Sequence, residues 1–133
     1  MKPISALPFL QNAFRPFFLL GTTFAATSIV AWAGMLGQQW SPATGLPPLL
    51  WHGHEMLFGY GAALVVGFVL TAAQEWTGHR PLPPLALAGL ASLWVLARIA
   101  FLLPRQVPHA IAALLDSLLL PLAAAALARV LWK

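Results

Sequence analysis

The stretch Trp51-His52-Gly53-His54-Glu55-Met56-Leu57-Phe58-Gly59-Tyr60-Gly61-Ala62-Ala63-Leu64-Val65-Val66-Gly67-Phe68-Val69-Leu70-Thr71-Ala72-Ala73 decides how this chain folds. From His54 onward it has the roughly 20 residues that carry a helix across a bilayer. Its first six residues set two imidazoles, a carboxylate and a thioether against that apolar run. Polar groups are costly there, and an intramembrane ionisable residue is by default a functional-site hypothesis. The plainer alternative puts His52 and His54 at the water interface, with Glu55 opposing the dipole of the first helical turn.

Working outward, the whole chain has the same character. Of its 133 residues, 8% are charged and 60% are hydrophobic, with a mean hydropathy of +0.82. A soluble domain would carry about a quarter charged residues. The apolar material falls into four blocks, at about 17–37, 54–73, 84–103 and 110–131. The fold class expected is all-α: a polytopic membrane protein, a four-transmembrane-helix antiparallel bundle forming a single membrane domain over 1–133. The longest connection is expected between the first two spans, at about 38–53. Eleven of the twelve prolines lie outside these blocks or at their very start, where a missing N–H is harmless. Pro121 falls inside the fourth, where it frees the carbonyl of Ser117 and is expected to kink the helix. Lys2, Arg15 and Ala31-Trp32-Ala33 have the outline of a signal peptide, but the segment is read as a retained first span.

Lysine and arginine asymmetry predicts orientation. Lys2, Arg15, Arg80, Arg129 and Lys133 fall on one side, Arg98 and Arg105 on the other. Both termini are therefore expected in the cytoplasm, with His52, His54, Glu55 and His109 at the outer leaflet. Trp40, Trp51, Trp76 and Trp132 fall near span ends, as an aromatic belt would place them. Seven scattered basic residues do not make a nucleic-acid surface.

Two charges stand apart from the surface. A tight hairpin around Pro104–Pro108 puts Arg98 and Asp116 at matched depth, some 8–10 Å below the outer surface at about 1.5 Å per residue. They are expected to pair, because an unpaired charge at that depth is expensive. One reading is an ion pair fixing the hairpin. The other has Arg98 facing an anionic ligand such as a haem propionate, with Asp116 holding the guanidinium. Gly59, Ala63 and Gly67 recur every four residues, a ladder that lets another helix approach closely; Gly21 and Ala25 form a shorter one.

Cysteine is absent, which excludes disulfides and thiolate metal sites. A metal would have to use His, Met, Glu or Asp, a set that suits copper, haem iron or zinc. If residues 52–56 are helical, His52 and Met56 share a face while His52 and His54 point roughly 200° apart. If the segment is extended, the two histidines share a face instead. His79 reads as a solvated loop residue and His109 as interfacial. No catalytic constellation is visible: there is no Ser/His/Asp set, no phosphate loop and no paired-carboxylate arrangement.

Phe14-Arg15-Pro16-Phe17-Phe18, then Trp51 through Tyr60, then Gly67-Phe68-Val69-Leu70-Thr71-Ala72 and Trp76-Thr77-Gly78 together resemble the NnrS family, over its N-terminal third. The resemblance implies a bacterial inner-membrane protein containing haem and copper, tied to nitric-oxide metabolism and denitrification. On it, His52 and His54 match the motif histidines and lead as ligands. Glu55 would be an outer acceptor orienting one imidazole, Met56 a soft copper ligand or a packing residue, and Arg98 a propionate partner. The rest of a haem–copper site would come from self-association or from a larger membrane complex such as a nitric-oxide reductase. In that alternative the chain is a small accessory or assembly subunit, not a catalytic subunit on its own.

Overall fold

The computed structural model describes residues 8–39, 41, 46–102 and 109–132, apart from the side chain of His109. Four helices are long and apolar enough to cross a membrane. They are α1 (Phe14–Leu36), α2 (Pro48–Thr77), α3 (Pro84–Leu102) and α4 (His109–Leu131), and no strand occurs among the described residues. The fold is an all-α antiparallel bundle. The expected Pro104–Pro108 hairpin and Trp40 lie outside the described residues.

The second helix begins earlier than the hydropathy reading placed it. Pro47 is extended, with ψ 145°, and Pro48 opens the helix, at the position where a proline costs nothing. Leu49 and Leu50 are 72% and 60% exposed and continue the apolar outer surface. The polar motif therefore lies within the helix, one to two turns from its start. A span read from hydropathy stops at polar residues, but here those residues face the bundle and the outer face stays apolar.

α2 is the central element, packed along α1 on one side and α4 on the other, with α3 against α4. A Cβ on Gly21 would sit 3.3 Å from Ala63 Cβ, and one on Gly67 only 2.9 Å from Phe17 Cβ. These small residues let α1 and α2 meet closely. The α1 start is anchored to α2 as well, because the Phe14 N–H donates to Thr71 Oγ1 at 2.9 Å. A shared core of Phe17, Ala63, Val66, Leu70, Leu90, Trp94 and Leu119 joins all four helices.

Within α2, residues Glu55–Gly61 form a π-helical stretch. Such insertions widen the helix and recur at functional sites. Here the stretch begins at the carboxylate of the motif.

Candidate functional site

Glu55 is 0% exposed and Arg98 3% exposed, both well inside the bundle. Buried charges of this kind survive only when they are paired. Arg98 Nη1 donates to Glu55 Oε2 at 2.6 Å, and Arg98 Nη2 pairs with Asp116 Oδ1. The other oxygen of each carboxylate faces His54. His54 Nδ1 lies 3.2 Å from Glu55 Oε1, and His54 Nε2 lies 3.2 Å from Asp116 Oδ2. The four side chains form a closed ring in which every member touches two others.

The chemistry of the ring follows from its geometry. A neutral imidazole has one donor and one acceptor, whereas an imidazolium has two donors. Both His54 nitrogens face carboxylate oxygens, so the arrangement is matched to the imidazolium. In that form two positive and two negative charges cancel inside the bundle. The ring also ties α2, α3 and α4 together at a single level.

Aromatic rings enclose it. Arg98 Cζ lies 5.9 Å from the Phe24 and Trp94 rings and 5.6 Å from Phe101. His54 lies 5.1 Å from Phe58 and 4.7 Å from Phe101. Trp94 Nε1 donates to the Gly59 carbonyl at 2.9 Å, joining α3 to the π-helical stretch. Gly59 itself is a spatial requirement. A Cβ there would come within 2.7 Å of Phe24, 3.0 Å of Glu55 Oε2 and 3.1 Å of Arg98 Nη1. On the His54 and Asp116 side the ring borders an open groove of about 510 Å³, lined also by Phe58, Phe101, Ser117 and Pro121.

His52 stands apart from this network. Its imidazole stacks on Trp32 of α1, with centroids 4.2 Å apart and planes 13° from parallel. Its Nδ1 is buried with no hydrogen-bond partner. The helical backbone thus separates the two histidines, one toward α1 and one toward α3 and α4. Met56 is half-buried one turn beyond His52.

The sequence pointed to Arg98, Asp116, His54 and Glu55 but not to their closure into one ring. It did not single out Trp94, Phe24 or Phe101, and it read Trp32 only within a cleavage-site-like pattern. An indole at Trp94, mid-span and away from the interfacial belt, was the available signal for a buried hydrogen-bond donor. Gly59 was read only as part of a packing ladder; it also makes room for the ion pair.

A bundle of apolar helices around a ring of four ionisable side chains defines a polytopic membrane protein with an internal polar site. The family model described as NnrS protein matches residues 8–133, and the chain belongs to the NnrS family. No curated protein and no solved structure matches the chain.

Among the described residues no group of three or more His, Cys, Asp or Glu is placed to hold a metal ion. A bare copper ion would therefore need ligands from elsewhere. A haem asks for less, because the porphyrin brings four nitrogens and one histidine can hold the iron. His52, uncommitted to any other polar side chain, fits that role.

Proposed function

We propose that this chain is the cofactor-holding membrane segment of a protein of nitric-oxide metabolism or denitrification, with His52 as the haem ligand. The observation that carries the reading is the contrast between the two motif histidines. His54 has both nitrogens on carboxylates, whereas His52 has a buried Nδ1 with no partner. His54 would ligate only by giving up Glu55 or Asp116. Copper remains an option at His52 with Met56, completed by ligands from another helix or chain.

Bound haem would supply an iron able to take nitric oxide as a ligand. What this chain supplies is position and surroundings. Trp32 fixes the plane of the His52 ring. The ring of His54, Glu55, Arg98 and Asp116 ties the other side of α2 to α3 and α4. Arg98, with both Nη atoms on carboxylates, serves that ring first; a propionate would have to displace one of them. The bias of Lys and Arg supports both termini in the cytoplasm of a bacterial inner membrane.

The test is the visible spectrum and haem content of protein purified from haem-replete cells. The expected result is a Soret band in the wild type that is lost in His52→Ala. Colourless wild-type protein, or a full band in His52→Ala, overturns the assignment.

A further inference from the structure

We propose that the end of the bundle opposite the charge ring carries a binding site for an anionic phospholipid, with its acyl chain between α3 and α4 and its phosphate on Arg129. The two helices border a groove of about 280 Å³ there. Its walls are Leu82, Gly89, Leu90, Leu93, Leu122 and Ala126, and Arg129 is its one charged lining residue. Gly89 opens the groove on the α3 side: a Cβ there would meet nothing within 4 Å.

Three observations identify the occupant. The first is depth. Arg129 stands in the last turn of α4, beside Trp132 at 88% exposure, and Trp76 at 78% exposure lies at the same end of α2. Exposed tryptophans of this kind mark the headgroup level, so the guanidinium is where a phosphate would be. The second is length. Leu122 lies seven residues before Arg129, so the apolar wall descends roughly 10 Å from the cation at 1.5 Å per residue, enough for the upper part of an acyl chain. The third is charge. Arg129 makes no ion pair among the described residues, and none of the three acidic residues of the chain lines the groove. A planar guanidinium is suited to bidentate phosphate contact. Basic pockets between helices hold anionic headgroups on the cytoplasmic side of a membrane, the side to which the lysine and arginine bias of the proposed function assigns this end. A zwitterionic lipid would match the walls but carry its own cation against Arg129.

The experiment is native mass spectrometry of the detergent-solubilised full chain with phosphatidylglycerol, phosphatidylcholine of the same acyl chains, and inorganic phosphate. Wild type is expected to retain phosphatidylglycerol over phosphatidylcholine, and Arg129→Gln to lower that preference about fivefold. Gly89→Phe should reduce retention of phosphatidylglycerol with Arg129 intact, since it fills the chain groove. Both positions are exposed, and unchanged helical circular dichroism checks that the variants fold. Arg80→Gln, at the same end but outside the groove, is expected to leave the preference largely in place. The proposal is overturned if the two lipids bind alike, if Arg129→Gln or Gly89→Phe has no effect, if Arg80→Gln abolishes the preference, or if inorganic phosphate competes the lipid off.

Discussion

Four side chains share two jobs at the residue scale: each neutralises two neighbours and each anchors a helix. Removing one member should cost more than its own contacts, because it leaves an uncompensated buried charge, typically about 3–5 kcal/mol. Glu55→Gln is therefore expected to lower stability sharply by thermal unfolding in detergent. Replacing Glu55 and Arg98 together by Gln and Met should cost less than Arg98→Met alone. Equal or greater loss in the double variant would mean the pair contributes favourably beyond charge cancellation. The two glycines of the motif separate space from propensity. A Cβ at Gly59 meets Phe24 at 2.7 Å, whereas one at Gly53 meets nothing within 4 Å. Gly59→Ala should destabilise by about 1–3 kcal/mol as an overpacked site. Gly53→Ala should be neutral or stabilising by up to about 1 kcal/mol, as in any exposed helix interior. If the two variants behave alike, close approach at Gly59 is not what the packing requires.

The π-helical stretch Glu55–Gly61 and the proline of α4 are the two irregular elements, and both flank the ring. Trp94 gives the Gly59 carbonyl a second donor from the neighbouring helix, beside the Ala62 N–H. Trp94→Phe keeps most of the packing and removes that donor, while the Gly59 carbonyl still accepts from the Ala62 N–H, so a loss of about 0.5–1.5 kcal/mol, that of one net hydrogen bond, is expected. Pro121→Ala restores an N–H to the carbonyl of Ser117 and should raise the thermal midpoint, since an interior proline costs about 3 kcal/mol. A lowered midpoint would show that the proline's backbone geometry is needed to bring Asp116 to Arg98. These elements also show what was legible in the sequence. The helices could be read because hydropathy is a one-dimensional signal averaged over a whole span. The start of α2 could not, because that average treats inward-facing His52, His54 and Glu55 as the end of the span. The depth match of Arg98 and Asp116 followed from counting residues about a hairpin. The Glu55–Arg98 contact joins residues 43 apart and depends on how α2 and α3 rotate about their axes, which no local pattern fixes.

At the scale of the whole molecule, the bundle sorts its polar groups by height. The charge ring and both motif histidines lie toward one end, and Arg129 with the exposed tryptophans lies toward the other. Along α2 the ring side carries structure, and the Trp32 side leaves an imidazole free. The account therefore predicts an asymmetry between two histidines separated by one glycine. It is tested most directly by the haem-to-protein ratio, from Soret absorbance and pyridine haemochrome, of His52→Ala and His54→Ala purified in parallel with the wild type. The predicted result is that His52→Ala loses the haem while remaining folded, and that His54→Ala lowers the thermal midpoint yet retains haem in the protein that stays folded. Loss of haem in folded His54→Ala, with full occupancy in His52→Ala, would contradict it.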